Sequence, residues 1–556
     1  MGWIRLTAAL FSVFTVTGYS MEVTHSLDML IGSPWRILAA VFVCVVLFGI
    51  YSFLLGEIYD FIDNSKRWER KPPKGKIGRI LEEHPFGSAF FVLTIFWLPY
   101  LIAYYPGIFM GDTGAQISQF FQLPNGTSNY LNLISQDQLI NNHHPVLHTV
   151  LMGGAVKIGR EVFHSDNLGI FLYTLVQFFS TAAVLSCTIA YLKKLKLPIW
   201  CQSVTMGIFA LYPIVPRYVV LLSKDTLFAD SVVLFVLFLV DVVRSEGAML
   251  EKKGKMVLFF LTACLMCLLR QNGVYVLLFS LPILFVFWKK KKYFFRFASV
   301  FIGSAAVYFL IVNALYPALL ITPGSRREAL SIPFQQTARC VKEYGDEITK
   351  REKEVIDQVL DYDKIGKNYD PDLSDPVKNT FREDATGQEM KEYFQVWGEM
   401  LLKYPKCYVE AFLDQTYGYF YIWDNGTQRG KYYEKTSERC MRERIDGKGF
   451  SFHSLPEFKG AREGIEKYSD MVHSSKVFSV LESPALYTWI TLGALAFLLR
   501  KRKYAAASLY LPAVCLILVN FLSPVNGTIY FRYALPLLFL LPLLLGIGTR
   551  TIAEET

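Results

Sequence analysis

An acidic residue and two neighbouring histidines lie close together in an early polar stretch of the chain. Asp112 lies in the sequence YPGIFMGDTGAQ, which ends at Gln116, and His143 and His144 follow in the sequence NNHHP. A carboxylate in such surroundings can act as a general base that its neighbours orient, or it can join imidazoles in holding a metal ion. We therefore predict a catalytic site formed by Asp112, His143 and His144, with Gln116 in support.

A purely structural role is open for each of these residues. Aspartate accepts backbone N–H groups at helix starts, so Asp112, between glycines and ahead of ISQFF, could be an N-cap. Adjacent histidines usually point in different directions, and Pro145 could simply begin the next helix. Their spacing resembles no closed metal site, so a structural metal is not expected, although a divalent ion at a catalytic site is left open.

Four cations at the ends of apolar runs form a second candidate group: Arg217 in PRY, Lys224 in LSKDTL, Arg270 in LRQNG and Arg532 in YFRYA. A charge near lipid is costly unless it is paired or faces water, so such residues indicate a functional site. A lipid phosphate is the expected ligand, because guanidinium groups bind phosphate oxygens bidentately. Arg217 is interpreted as reaching toward lipid headgroups, which leaves Lys224, Arg270 and Arg532 to bind phosphate.

Two neighbours of these cations receive supporting roles. Asp225 follows Lys224 directly, and we favour an ion pair between the two over a second catalytic acid. Asn272 follows Arg270 by two positions and is assigned to the same site.

The composition indicates a membrane protein that must position these groups at its surface. The chain has 556 residues, of which 53% are hydrophobic and 15% aromatic, and its charge is confined to patches between apolar runs. Runs of about 20 apolar residues span a bilayer. Twelve spans are predicted, at 3–20, 34–56, 86–104, 169–191, 199–216, 227–243, 256–270, 273–288, 297–317, 483–499, 505–522 and 533–549.

Basic clusters predict the orientation, because Lys and Arg favour the cytoplasmic side of short loops. The strongest cluster contains Lys66, Arg67, Arg70, Lys71, Lys74, Lys76 and Arg79, and others follow at 193–196, 252–255, 289–292 and 500–503. All of them lie inside if the moderately apolar stretch 146–163 is an amphipathic surface helix rather than a span. The C-terminus is then cytoplasmic, and the net charge of +9 reflects topology rather than nucleic-acid binding.

The same pattern divides the chain into five parts: two N-terminal spans (1–64), a basic cytoplasmic loop (65–85), a transmembrane core (86–317) with the candidate catalytic loop at 105–168, a polar extracytoplasmic domain (318–482) and three C-terminal spans (483–556). Helical periodicity in 346–360, 389–402 and 408–421 predicts that the polar domain is mainly helical.

The motifs together resemble the GT-C superfamily of polytopic membrane glycosyltransferases, and more closely an uncharacterised bacterial family of that type. The resemblance rests on YPG…GDTG…HHP, SKDT, LRQNG, PFQQTAR and RYALP, and it extends over most of the chain. It implies a plasma-membrane enzyme that transfers a hexose or pentose, with inversion, from a polyprenyl-phosphate donor to a glycan, lipid or protein acceptor outside the cell. Two additional N-terminal spans and a single acidic residue, Asp112, depart from the superfamily pattern and leave the metal requirement open.

By that resemblance, Asp112 deprotonates the acceptor, while Arg270, Arg532 and Lys224 hold the carrier phosphate. A transporter or flippase of lipid-linked glycans is the alternative, since twelve spans and the same cations would suit it. Transporters commonly show repeated halves and interrupted helices near the membrane midplane. No internal repeat is evident, but the short runs on either side of Arg270 could be half-helices.

Overall fold

The chain folds almost entirely into helices. The computed structural model describes residues 2–64, 68–73, 75–131, 139–423, 434–445, 448–522 and 531–553. Within these ranges the only β structure is three isolated bridges. Lys66, Arg67 and Lys74 of the predicted cytoplasmic cluster lie outside the described residues.

The α-helices of seven or more residues in the described ranges are α1 (Gly2–Thr24), α2 (Pro34–Asp63), α3 (Lys76–Glu83), α4 (Pro85–Ala103), α5 (Gly111–Phe120), α6 (Val146–Phe163), α7 (Asp166–Lys194), α8 (Ile199–Leu211), α9 (Ile214–Val220), α10 (Lys224–Arg244), α11 (Lys253–Leu269), α12 (Asn272–Phe279), α13 (Lys291–Leu310), α14 (Ser331–Tyr344), α15 (Lys350–Asp357), α16 (Tyr362–Asn368), α17 (Gly387–Lys403), α18 (Pro405–Thr416), α19 (Glu434–Ile445), α20 (Lys459–Ser474), α21 (Pro484–Arg500), α22 (Leu511–Leu522) and α23 (Leu535–Ala553).

Six helices in the described part of the chain are long and apolar enough to cross a membrane: α1, α2, α4, α7, α10 and the continuous segment Lys291–Ala318. The pair α8 and α9, bent by 59°, makes a seventh if it counts as one span. Shorter apolar helices lie at Asn272–Phe287, α21, α22 and Leu535–Thr549. The protein is therefore a helical membrane protein. Each of the twelve predicted runs overlaps a helix, but only six or seven are long enough to be identified as spans.

Helix α10 forms the centre of the helical body. It begins at the cap Ser223, whose Oγ accepts the N–H of Asp225 at 3.2 Å. In the apolar stretch of α10, 72% of the residues are buried. In the apolar stretch of α2, no residue is buried. Helix α10 is therefore enclosed by protein, and α2 presents its side chains to the surroundings.

A short bridge places the start of α5 beside the start of α10. Ile108 pairs with Leu221, with Ile108 N–H donating to Val220 O at 2.9 Å and Leu222 N–H to Ile108 O at 3.0 Å. The approach needs glycine at position 107, where φ is +146° and a Cβ would lie 2.8 Å from Thr174 Oγ1. Because Asp112 and Lys224 follow the bridged segments closely, the bridge brings them together.

A second bridge fixes the segment that carries the two histidines. Asn141 pairs with Thr322, where the N–H of Asn142 donates to Thr322 O at 2.8 Å. A Cβ at Gly324 would lie 3.0 Å from His143 Cα, so this contact is close. The histidine segment is thereby joined to the chain that leaves the last span of the core.

The polar segment 318–482 has hydrophobic contacts of its own. Helices α14, α15, α17 and α18 share a buried cluster around Phe334, Tyr393 and Met400. Helices α15, α17 and α18 fall within or close to the stretches whose periodicity indicated helix.

Candidate functional site

Asp112 is held by two cations from distant parts of the sequence. Its Oδ2 lies 3.2 Å from Lys224 Nζ and 3.4 Å from Arg532 Nη1. Burial alone would raise the pKa of the Asp112 carboxyl, but the charges of Lys224 and Arg532 outweigh it and hold that pKa well below its ordinary value of 3.8. Asp112 is therefore an ionised carboxylate in the free protein.

Asp112 is not the helix cap. Helix α5 starts at Gly111 after the N-cap Met110, and Thr113 Oγ1 accepts the Met110 N–H at 3.0 Å. Thr113 in turn donates to Leu222 O at 2.9 Å, which ties the helix start to the first bridge. The Asp112 side chain is left to face the cations, and its charge also suits the first turn of a helix.

Lys224 links Asp112 to His144. Lys224 Nζ lies 3.3 Å from His144 Nδ1, and its side chain is only 13% exposed. Burial, and next the charge of Lys224, keep the pKa of His144 well below 6.5. A neutral ring that accepts from Lys224 through Nδ1 must carry its proton on Nε2. His144 is thus a neutral partner of the ammonium group.

Arg270 and Arg532 converge on a second carboxylate, Asp225. Arg270 Nη1 donates to Asp225 Oδ1 at 2.7 Å, and Arg532 Nε lies 3.9 Å from Asp225 Oδ2. Both guanidinium groups also lie against the ring of Tyr533, at 4.3 and 5.0 Å from its centroid. Arg532 therefore connects Asp112 to Asp225, and five charged side chains form one continuous group.

His143 lines a cavity beside this group. Its ring stands at 77° to that of His144, with the centroids 4.6 Å apart. This cavity has a volume of about 650 Å³, and its other walls come from Asn142, Gln271, the end of the Lys291–Ala318 segment and residues 320–328. Burial lowers the pKa of His143 below 6.5, so this imidazole is neutral too.

Gln116 belongs to a buried polar chain that anchors α5. Its Oε1 lies 2.6 Å from His148 Nδ1, and His148 Nε2 lies 2.6 Å from Tyr173 Oη. Tyr173 Oη also lies 3.1 Å from Gln177 Oε1, and Gln177 Nε2 donates to Leu221 O at 2.7 Å. The chain links α5, α6 and α7 to the segment before α10, so it fixes the helix that carries Asp112.

Comparison with known proteins gives one match. The family model described as DUF6020, a family of unknown function, matches residues 5–554. The chain belongs to this family. Comparisons with curated proteins and with solved structures give no match.

In this DUF6020 protein the ion pair expected between Lys224 and Asp225 is not formed. Lys224 pairs with Asp112, and Asp225 pairs with Arg270 and Arg532. The two residues open α10, where successive side chains point in different directions, so adjacency in sequence does not bring their charges together.

Two other assignments also differ from the structure of this DUF6020 protein. Arg217 does not reach toward headgroups, because it is buried in an ion pair with Glu466. Asn272 begins α12, and among the described residues its side chain makes no hydrogen bond to the charged group.

His148, Tyr173 and Tyr533 were missed by the sequence analysis. His148 and Thr149 form a polar pair between apolar residues at the start of α6, and Tyr533 follows Arg532 directly. The position of His148 on the face of α6 toward α5 could have indicated its role, but this face can be recognised only when the neighbouring helix is known. A tyrosine beside an arginine carries no distinctive spacing.

The donor set of the DUF6020 site does not suit a metal ion. The Lys224 ammonium lies between Asp112 and His144, where a cation would have to bind. No group of three or more His, Cys, Asp or Glu side chains arranged to hold a metal occurs in the ranges that the structure describes. The site contains three cations and only two carboxylates, so its excess positive charge suits an anion.

Proposed function

We propose that this protein is a membrane glycosyltransferase of the GT-C type, with twelve spans, that takes a sugar from a polyprenyl-phosphate carrier outside the cell. The observation that carries the proposal is the joining of Asp112, Lys224, Arg270 and Arg532, through Asp225, in one partly buried charged group. A general base and phosphate-binding cations are what such a transfer needs. A neutral histidine pair extends this group toward a cavity.

The cations would bind the carrier phosphate and stabilise its charge as the sugar leaves. Lys224 and Arg532 already lie near one carboxylate oxygen, so an anion of similar size can replace or join it. Arg270 and Tyr533 supply a planar, partly buried surface next to them. Preorganised donors of this kind act where negative charge grows in the transition state.

Asp112 would take the proton of the acceptor hydroxyl. The acceptor oxygen forms a bond to the anomeric carbon, the bond from that carbon to the phosphate oxygen breaks, and its electron pair leaves with the phosphate. In the free protein the cations depress the pKa of Asp112, which makes it a weak base. A bound phosphate neutralises those cations and so raises the pKa of Asp112, which strengthens the base when the donor is present.

The test compares surface glycans from a strain lacking the protein after complementation with native chain, Asp112→Asn or the control Asp363→Asn, at matched membrane levels. Asp363 is a suitable control because its side chain is 83% exposed. The deletion and Asp112→Asn should both lack one sugar increment, and Asp363→Asn should restore it. Full restoration by Asp112→Asn would overturn the role of Asp112 as base.

A binding measurement distinguishes a variant that has lost catalysis from one that has lost its fold. Purified Asp112→Asn should bind a polyprenyl phosphate at least as tightly as the native chain, because the Asp112 carboxylate then no longer competes for Lys224 and Arg532. Loss of binding would mean that Asp112 organises the site rather than acting on the acceptor.

Transport of lipid-linked glycans is the second candidate, and broken helices favour it. Helices α8 and α9 meet at a 59° bend, and the chain is non-helical at Arg270 between α11 and α12. Discontinuous helices often form substrate sites in transporters. A transporter would move a complete lipid-linked glycan across vesicle membranes without an acceptor, and Asp112→Asn would not change the mass of that glycan.

A further inference from the structure

The cavity beside His143 has two walls of opposite character. Its apolar wall comes from the end of the last core span and includes Val312, Tyr316 and Leu320. Its polar wall includes Asn142, His143, Ser325 and Glu328. A cavity of about 650 Å³ with these walls suits an amphiphile whose chain lies against the span and whose head reaches the polar side.

The span itself changes form at this cavity. After α13 the backbone becomes a π-helix over Ile311–Leu315 before the last turn, Tyr316–Ala318. Such π-helical turns are rare and often occur at functional sites. Asn313 lies in this turn, is exposed and lines the cavity, although it belongs to a segment apolar enough to cross a membrane. An amide facing lipid is costly without a partner, so its position favours a polar ligand.

The charge of the cavity differs from that of the neighbouring cation group. Its described lining contains one carboxylate, Glu328, and one imidazole, His143, but no Lys or Arg. Glu328 is paired with Lys378 at 2.8 Å and with Arg327 at 3.3 Å, so its charge is compensated, and its oxygens keep lone pairs for further hydrogen bonds. Together with the amides of Asn142 and Asn313, these groups suit hydroxyls. They do not suit a phosphate.

We propose that this cavity binds the acceptor, and that the acceptor is a membrane lipid with an uncharged, hydroxyl-bearing headgroup. The proposal rests on the transferase function, in which the cation group holds the donor phosphate. The two sites adjoin through the His143–His144 pair, because His143 faces the cavity and His144 contacts Lys224. A headgroup hydroxyl passing His143 would reach the group that contains Asp112.

The test uses the full chain in vesicles with two photoreactive lipids of equal chain length. One carries a diazirine in a monoglycosyl diacylglycerol, and the other carries it in phosphatidylglycerol. The neutral lipid should cross-link to residues 308–328, unlabelled neutral lipid should compete, and the anionic lipid should label this region much less. Equal labelling by both lipids would mean general lipid contact and would overturn the proposal.

Variants test the polar wall. Asn313→Leu and Glu328→Gln should each lower the neutral-lipid cross-link by roughly threefold to tenfold, the value of one or two hydrogen bonds. Asn313 is exposed, so this variant should fold. Ser299→Leu on the same helix is the matched control, because Ser299 is exposed and bonds only locally, to Arg296 O at 2.7 Å. Unchanged labelling in Asn313→Leu and Glu328→Gln would overturn the proposal.

Asp112→Asn separates failure of this inference from failure of the transferase function. The variant should keep the neutral-lipid cross-link while losing sugar transfer. If transfer depends on Asp112 but no cross-link forms, the acceptor inference is wrong and the transferase proposal stands. If the cross-link forms but Asp112→Asn still transfers sugar, the role of Asp112 as base is wrong and the acceptor inference stands.

Discussion

The charged residues of the candidate site depend on one another for burial. The Arg270 and Asp225 side chains are only 13% and 1% exposed. Buried charges are tolerated when they are paired, and removing one partner leaves the other uncompensated. The site therefore contributes to stability as well as to binding, and its variants need stability controls.

We expect Arg270→Met to lower the free energy of unfolding by about 3–5 kcal/mol, because Asp225 loses its closest cation. Adding Asp225→Asn should recover part of this loss. Arg351→Met is the control, since the Arg351–Glu399 pair is 66% and 45% exposed. This control should cost less than about 1 kcal/mol. Denaturant unfolding in detergent checks the prediction, and equal losses for both arginines would contradict it.

His148 should make the fold sensitive to acid. Its burial, and next the charge of Lys224, lower its pKa from 6.5 to about 3. At pH values between about 3 and 6.5, His148 binds a proton in the unfolded chain but not in the folded chain. The free energy of unfolding is therefore undiminished by His148 above pH 6.5 and decreases as pH falls toward 3.

The consequence is that His148→Gln should show a smaller fall in melting temperature between pH 7.5 and 5 than the native chain. The fall should not vanish, because His143 and His144 also have lowered pKa values. Asp112 titrates in a lower range and does not contribute there. Thermal unfolding at the two pH values checks this, and an unchanged difference would show that His148 is not buried as a neutral ring.

At the scale of elements, the site is held by contacts between segments far apart in sequence. The bridge Ile108–Leu221 joins the starts of α5 and α10, and Asn141–Thr322 joins the histidine segment to the end of the last core span. Helix α20 is attached in a similar way, because Arg462 Nη1 donates to Ala103 O at 3.0 Å. These contacts decide which helix ends meet.

Helix α20 offers a test of such an attachment. Glu466 pairs with the buried Arg217 and accepts a hydrogen bond from Tyr104 Oη at 2.6 Å. Glu466→Gln would leave Arg217 without its carboxylate, so α20 should separate more often from α4. Hydrogen exchange over 459–474 should accelerate in this variant and not in the control Glu463→Gln, where the side chain is exposed. Equal exchange in both variants would contradict the attachment.

At the scale of the whole molecule, the arrangement of charge predicts which side each part faces. We expect the loop at Lys290 to lie in the cytoplasm and the polar segment 318–482 outside. Lys350→Cys and Lys290→Cys provide the probes, since these side chains are 91% and 46% exposed. A membrane-impermeant maleimide should label the first variant in intact cells and the second only after permeabilisation. The unmodified chain is the control, because its nine cysteines are buried or partly buried.

The sequence by itself determined the class of the molecule and the residues worth examining. Long apolar runs force helices, because a backbone in lipid must satisfy its own hydrogen bonds, and cations at the ends of those runs are unusual enough to stand out. Lys224, Arg270 and Arg532 were found in this way, whereas Asp112 was found from the glycines around it and the nearby histidines.

Only the tertiary structure decided how these residues combine. The meeting of helix ends determines that Lys224 pairs with Asp112 rather than Asp225 and that Arg217 is buried against Glu466. It also places His148 of α6 between α5 and α7. The cavity at Asn313 likewise needs both the π-helical turn and the histidine segment. The physical reason is that charge pairing and burial are set by distances across the fold, whereas the sequence specifies spacing only along one helix or strand.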